Sequence, residues 1–295
     1  MAQLTLDELN RMEEAAFVAA LSNLFEHAPW VARAAHASRP FSSVGALYMA
    51  MTEAVRASGN ERQHLLIGGH PDLAGKAARE GGLTPDSTRE QASAGLDHLS
   101  EQEFAEFHRL NDAYRKKFDF PFIICVRRHG KESILQEFAR RLRNDPTAEH
   151  AAALSEIYRI VALRLDQRVT APDRLRVHGR LSTHVLDTYH GQPASGVAIG
   201  LYELGSAEKP RLILTTVTNA DGRPDRPLVA EQPIPVAHYE LYFGIGDYFA
   251  RLGTQVAEPP FLGVVPVRFA VAEPEGHYHV PLLVTPWSYT TYRGS

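Results

Sequence analysis

Cysteine is nearly absent from this chain: Cys125, inside the apolar run FPFIICV, is the one thiol among 295 residues. A single thiol excludes an intrachain disulfide framework and a Cys-rich zinc site, and it suits a reducing compartment. A small buried core residue is its simplest reading. Long apolar runs are missing too. No stretch approaches the ~18–20 apolar residues that a membrane-spanning helix requires. The opening MAQLTLDELNRMEE lacks a basic segment followed by an apolar one, so no secretion signal is expected and the expected location is the cytoplasm. Charge of one sign is also not in excess: 31 Lys and Arg against 35 Asp and Glu give −4, which offers no basic field for nucleic acid. What remains, 44% hydrophobic and 22% charged residues, is the composition of a globular protein long enough for two domains.

The hydrophobic period changes along the chain. Thr5-x-x-Glu8 reads as a capping box, followed by Phe17, Ala20, Leu21, Leu24 and Phe25 at helical spacing. Val44, Leu47, Tyr48, Met51 and Val55 form a second stripe, and Ser100-x-x-Glu103 caps a helix carrying Phe104, Phe107, Leu110 and Tyr114. Ile134, Leu135, Phe138 and Leu142 continue the pattern, as do Leu154, Ile157, Tyr158, Val161 and Leu165. These stripes predict an all-α domain over residues 1–166. From RVHGRLSTHVLD onward the period is two, with Val177, Leu181 and Val185 alternating with His178, Arg180, Ser182 and His184. GVAIGLYEL, RLILTTVTNADGR, HYELYFGIGDYF, GVVPVRFAV and HYHVPLLVT read as further strands. Of the 19 prolines, 13 lie at or after Pro172, which suits turn-rich β structure. The expectation is a multidomain chain: the helical domain, a polar linker over 167–176, and an all-β domain over 177–295.

In the helical half, chemistry concentrates in IGGHPDLAGKAA (67–78) and LTPDSTREQASAGLDHLS (83–100). Pro71 suits a first helical turn, which would put His70 at a helix mouth, where free N–H groups favour an anion and a neutral imidazole. Such an imidazole is an acid–base candidate near pH 7, with helix capping as the plainer reading. Ser87-x-x-Glu90 reads on spacing as another capping box, and Arg164 reads as a solvated arginine.

Those segments, together with EHAPWVARAA (26–35), RPF (39–41), LNDAYRKKFDFPFIICVR (110–127) and RIVALRL (159–165), resemble the 2-oxo-4-hydroxy-4-carboxy-5-ureidoimidazoline (OHCU) decarboxylases over nearly all of residues 10–165. The resemblance implies an all-α, cofactor-free decarboxylase forming (S)-allantoin. It also implies that His70 is the acid–base residue and Glu90 a substrate-orienting partner. Pro71, Ser87 and the backbone of the FPFIICV loop at Ile123 would line the pocket, and Arg164 would clamp the anion. The residue types fit: loss of CO2 leaves electrons that an adjacent C=N can accept, so no organic cofactor or metal is required, and the protein orients a carboxylate and delivers a proton. An Arg fork suits carboxylate or ureide oxygens.

In the β half, RLSTHVLDTYHGQPASGVAIGLYEL (180–204) reads as strand, turn at Gly191 and strand, and VTNADGRPDRPL (217–228) leaves a strand through an Asp-Gly turn followed by Arg223. His277-x-His279 in the closing GHYHVPLLVTPWSYTTYRGS has three readings: a zinc-chelating pair, ordinary polarity on an edge strand, or an acid–base group. A metal would need ligands from elsewhere, and none is expected. STHVLD (182–187), TNADGR (218–223), HYHVPLL and the terminal YRGS resemble the transthyretin-like 5-hydroxyisourate hydrolases across about residues 177–295. Hormone-carrying transthyretins share the fold without this tail, so the resemblance points to an enzyme. It implies a β-sandwich that forms a homotetramer, with sites in a channel between subunits. Catalytic roles would fall to His184, Arg223, His279 and Ser295, with Tyr292 and Arg293 from the same tail binding substrate and His277 only a neighbour.

The hydrolase product is the decarboxylase substrate, so the two resemblances together imply a bifunctional enzyme of urate degradation. Its partners are then small molecules, 5-hydroxyisourate and OHCU, and no cofactor, nucleic acid or membrane. The rival readings are a single-activity enzyme and a transthyretin-like binding module beside a non-catalytic partner domain.

Overall fold

The computed structural model describes residues 3–74, 84–205 and 210–294. The chain divides into two compact units, one of residues 1–127 with 134–177 and one of residues 128–133 with 178–295.

The first unit opens with β1 (Leu4–Thr5) and α1 (Leu6–Arg11). The Thr5–Glu8 capping box is present: the Glu8 N–H donates to Thr5 Oγ1 at 3.2 Å, and the Thr5 N–H donates to the Glu8 carboxylate at 2.7 Å. Next come α2 (Glu14–Leu21), α3 (Pro29–His36), α4 (Val44–Arg56), α5 (Asn60–Gly68) and α6 (Pro85–Ser93). The expected stripe from Phe17 to Phe25 is not one helix. α2 stops at Leu21, where the Ser22 hydroxyl turns back to the Ala19 carbonyl at 3.2 Å, and Leu24 and Phe25 are buried in the turn beyond. α7 (Glu101–Phe118) starts at the expected Ser100–Glu103 capping box and ends where Asp119 takes a left-handed φ of 62°. α8 (Lys131–Arg141) and α9 (Pro146–Arg168) complete the helices, α9 with Asp145 as its cap and Pro146 in its first turn. After α9, β2 (Val169–Thr170) runs parallel to β1, with Leu4 opposite Val169. The apolar stripes read from the sequence meet in one core that includes Phe17, Leu47, Met51, Phe107, Tyr114, Phe138, Ile157 and Leu165.

The second unit holds β3 (Gly179–Asp187), β4 (Gln192–Pro193), β5 (Ala198–Leu204), β6 (Arg211–Val217), β7 (Val229–Gln232) and β8 (Ala237–Gly244). A short helix, α10 (Ile245–Arg251), precedes β9 (Val264–Val271), β10 (His277–Val284) and β11 (Tyr289–Thr291). One sheet runs β11–β10–β3–β4, with β7 also on β3, and the other runs β6–β5–β8–β9. Alternation along each strand sends Leu181, Val185, Val280 and Leu282 from one sheet, and Ile199, Leu201, Leu241 and Phe243 from the other, into a shared core. This is a β-sandwich.

Two strand expectations change. HYELYFGIGDYF is strand only to Gly244. Ile245, Tyr248 and Phe249 then bury at spacings of three and four residues, the period of a helix face. β10 is not an edge strand either, because it lies between β11 and β3. Among the described strands of this unit β3 and β10 are the parallel pair, in register from Arg180 opposite His277 to Asp187 opposite Val284.

Leu181 is fully buried, whereas Leu65 on α5 is 68% exposed. Leu181→Ala is expected to cost about 2–5 kcal/mol, and Leu65→Ala is expected to stay within about 0.5 kcal/mol of the parent. Denaturant unfolding of the two variants measures the contrast.

Candidate active sites

The helical unit carries a partly open cleft lined by His70, Pro71 and Leu73, by Ser87, Glu90 and Gln91 of α6, by Phe122, Ile123, Ile124 and Val126, and by Ile160 and Arg164 of α9. Helical spacing explains the grouping. Positions 87, 90 and 91 share one face of α6, and 160 and 164 share one face of α9. All six residues that the sequence assigns to this pocket, His70, Pro71, Ser87, Glu90, Ile123 and Arg164, line the cleft.

His70 follows the C-terminal end of α5, and residues 71–74 are not helical, so among the described residues it does not stand at a helix mouth. Its neutrality has another cause. Burial pushes the imidazole from 6.5 to about 4, with the Arg164 and His27 charges in the same direction and the Leu66 carbonyl and Glu26 opposing. Nδ1 lies 2.9 Å from the Leu66 carbonyl, which can only accept, so Nδ1 carries the proton and Nε2 holds the lone pair. The adjoining segment is pinned from two sides: the Ala74 N–H donates to Gln91 Oε1 at 3.0 Å, and Asn111 Nδ2 donates to the Leu73 carbonyl at 2.8 Å.

Glu90 is not a capping residue. Thr84 caps α6, accepting from the Ser87 N–H at 3.3 Å with Pro85 in the first turn, and this leaves the Glu90 carboxylate free for Arg164. Arg164 is not solvated but 5% exposed. Its Nε and Nη2 grip the two Glu90 oxygens at 2.8 and 2.7 Å, a bidentate fork. Nη2 also donates to Ser87 Oγ at 3.4 Å, and Nη1 donates to Glu26 at 3.1 Å and to the Asn23 and Leu24 carbonyls at 3.2 and 3.5 Å. Every nitrogen of the guanidinium is therefore engaged by the protein.

Sequence reading missed Glu26 as a site residue. It is 4% exposed and accepts from the hydroxyls of Thr84 at 2.8 Å and Ser87 at 3.3 Å as well as from Arg164. Burial drives its pKa up, but Arg164, Thr84 and His70 outweigh that and hold the carboxyl below its usual range. It sits inside the quoted EHAPWVARAA, but no local spacing links position 26 to 164. The Ile123 loop is braced from behind, with Arg141 Nη1 donating to the Ile123 carbonyl at 2.5 Å and the Cys125 N–H donating to Glu156 at 2.9 Å. Arg141 is itself held by the buried Glu149, which also accepts a hydrogen bond from the Tyr114 hydroxyl.

In the β unit the site face is the side of β3 and β10 that points away from the sandwich core. The parallel register sets His279 opposite Ser182 and Pro281 opposite His184. Ser182 Oγ is 2.9 Å from His279 Nδ1, a partner that period-two alternation alone puts on the His184 face. His184 Nε2 is buried with no hydrogen-bond partner. Both rings are held below the usual imidazole range. For His184 burial leads, then the Arg223 charge, against the Asp221 backbone; for His279 burial leads, then Arg223, His184 and His277. His277 is exposed on the same face.

Arg223 is fixed through its backbone. Asn219 Oδ1 accepts from the N–H groups of Asp221 and Arg223 at 3.0 and 3.2 Å, and the Val185 N–H donates to the Gly222 carbonyl at 2.8 Å, tying the turn to β3. Gly222 has a φ of 72°, and a Cβ there would lie 2.3 Å from the Val185 carbonyl oxygen, so only glycine lets the turn lie this close to His184. The closing residues return along β10. β11 pairs with Leu282–Val284, and the Gly294 N–H donates to the His279 carbonyl at 2.8 Å. A Cβ on Gly294 would lie 2.6 Å from the His279 ring, so the tail touches that imidazole within one chain. Arg293 lies 4.7 Å from the centre of the Tyr278 ring, Tyr292 is exposed, and Ser295 falls outside the described residues.

Residues 10–166 match the OHCU decarboxylase family model, and residues 181–294 match that of the HIUase/transthyretin family. The chain is 40% identical over 171 residues to a 2-oxo-4-hydroxy-4-carboxy-5-ureidoimidazoline decarboxylase of Haloferax volcanii, covering 58% of this chain and 99% of that protein. It is 46% identical over 127 residues to a 5-hydroxyisourate hydrolase of Pseudomonas aeruginosa, covering 43% of this chain and 100% of that one. A crystal structure of (S)-allantoin synthase aligns with a TM-score of 0.51 and 34% identity, covering 99% of this chain and 100% of the other.

The His70 geometry predicts a pH response. The unfolded chain protonates this imidazole below about 6.5 and the folded chain only below about 4, so the helical unit loses this contribution to stability as pH falls from 6.5 toward 4. NMR titration of the ring should show the Nδ1–H tautomer at pH 7 and a midpoint near 4, and His70→Asn should flatten that part of the stability profile.

Proposed function

The chain belongs to the OHCU decarboxylase family and carries an HIUase/transthyretin-family domain behind it, and from this we infer that one polypeptide performs two consecutive steps of urate degradation. The β domain hydrolyses 5-hydroxyisourate to OHCU, and the helical domain decarboxylates OHCU to (S)-allantoin. The observation that carries this reading is the likeness to (S)-allantoin synthase along 99% of the chain.

In the first step water adds across a cyclic acyl C–N bond. His184 and His279, both neutral near pH 7 and on one sheet face, divide the base and acid roles. Ser182 holds the tilt of the His279 ring. Arg223, exposed beside them, holds the urate-like oxygens or the developing oxyanion, Tyr292 and Arg293 of the returning tail bind the substrate, and Ser295, which lies outside the described residues, takes a catalytic role.

In the second step the carboxylate leaves as CO2, its bond pair passes to the adjacent C=N, and one proton is taken up in net. His70, with its lone pair on Nε2, accepts a proton and returns it to one face of the ring carbon, which makes the product chiral. Glu90, locked by the Arg164 fork, orients the substrate. Arg164, its nitrogens engaged by the protein, favours the substrate anion through its charge and holds Glu90 and Ser87, which line the cleft, in place. Pro71, Ser87 and the Ile123 backbone form the walls. No cofactor enters either step.

The assembly proposed is a homotetramer through the β domain, acting in the cytoplasm on small-molecule substrates. The half-open His184–His279 face, which a second subunit could roof, supports the first part. No helix among the described residues is long and apolar enough to cross a membrane.

Feeding fresh 5-hydroxyisourate while following its absorbance and the circular dichroism of the product tests both steps. Wild type should yield optically active allantoin rapidly. His279→Ala should slow consumption of the first substrate by about 10²–10⁴-fold, and His70→Ala should leave that rate intact but abolish the optical signal. If neither substitution alters either signal, the assignment fails.

A further inference from the structure

Glu26 lies behind Arg164 as seen from the cleft: it lines no part of the cavity, yet it contacts three groups that do or that start the α6 face. Its Oε2 accepts from Arg164 Nη1 at 3.1 Å and from Ser87 Oγ at 3.3 Å, and its Oε1 accepts from Thr84 Oγ1 at 2.8 Å. Thr84 is the N-cap of α6, the helix that carries Ser87 and Glu90. One buried carboxylate in the turn after α2 thus ties the start of α6 to α9. It occupies the Nη1 side of the guanidinium, so the fork presented to Glu90 is the Nε–Nη2 edge.

We propose that Glu26 is the positioning residue of the decarboxylation site, acting through Arg164, Ser87 and Thr84 to fix where Glu90 stands relative to His70. The inference rests on the decarboxylase reading given above. Without a carboxylate at Nη1 that side of the guanidinium keeps only the neutral Asn23 and Leu24 carbonyls, and the fork is held less firmly against Glu90. An orienting group displaced by about 1 Å costs on the order of 10²-fold in rate. Glu26 also acts on the acid–base group. The charges facing His70 are Glu26 and His27 from the turn after α2, Arg164 from α9 and, across the cleft, Glu90 from α6. Glu26 is the carboxylate that favours the protonated imidazole against burial. Removing its charge takes away the largest charge that opposes Arg164 and His27 there and leaves the Leu66 hydrogen bond, so the midpoint of His70 falls further.

The test uses the full chain, whose hydrolase step serves as an internal control for the β unit and for enzyme concentration, while Tm reports the fold of the helical unit. Glu26→Gln keeps an oxygen acceptor at the same reach but removes the charge. It should lower kcat for OHCU decarboxylation by about 10–100-fold, leave 5-hydroxyisourate consumption within about twofold of wild type, and move the acid limb of the decarboxylase kcat/KM profile to lower pH. Glu26→Asp, which restores the charge, should return the acid limb to its wild-type position. Unchanged decarboxylation in Glu26→Gln overturns the proposal, and so does a loss of rate that accompanies a lowered Tm without movement of the acid limb. His70→Ala assayed in parallel separates the two levels: if it abolishes optically active product while Glu26→Gln does not alter the rate, only the role of Glu26 fails. If His70→Ala is also without effect, the decarboxylase reading fails with it.

Discussion

An imidazole taken out of water gives up its proton more readily, and a nearby guanidinium strengthens the tendency. Both units are arranged around that balance. In the helical unit His70 is buried, hydrogen-bonded through Nδ1 and near Arg164; in the β unit His184 and His279 are half-buried near Arg223. The two solutions differ in what offsets the cation. The helical unit buries its arginine, which is tolerable only because two carboxylates and two carbonyls satisfy it. The β unit leaves Arg223 in solvent, where hydration does the same work, and fixes its backbone instead.

From that difference follow two kinds of site. Burying Arg164 draws α6, α9 and the turn after α2 together, so the helical cleft is a consequence of satisfying one charge. The hydrolase face follows from register. Because β3 and β10 run parallel and in step, Ser182, His184, His277 and His279 share a face while Leu181, Val185, Val280 and Leu282 share the other. A shift of one residue would reverse both sets at once.

The fold class was legible because hydrophobic period is a local signal: helical stripes over the first half and alternation over the second both find their cores. The family motifs also carried six of the twelve residues that line the helical cleft. What spacing could not reach was anything set by long-range pairing. Ser87-x-x-Glu90 has the form of a capping box, but Thr84 and Pro85 already satisfy the start of α6, and Arg164, distant in sequence, takes the glutamate. The same distance hid Glu26 and made Arg164 look solvated. In the β half the alternation was correct while the neighbours were unknown, so β10 could be mistaken for an edge strand and α10 for the end of β8. Gly222 is a middle case: Asp-Gly announces a turn, but only the sheet shows that a carbonyl stands where a side chain would go.

The parallel pairing of β3 with β10 also orders events in time. His279 meets Ser182 across 97 residues of chain, so the hydrolase face cannot exist until the last sheet strands have been made. Ribosomes add about 5–20 residues per second, which leaves β3 waiting for its neighbour on the order of 5–20 s, while the helical unit, closed by β2 at Val169–Thr170, is already complete in sequence. Biosynthesis therefore runs opposite to metabolism: the domain that consumes the intermediate is assembled before the domain that releases it, and a nascent chain carries the capacity to dispose of OHCU before it can generate any.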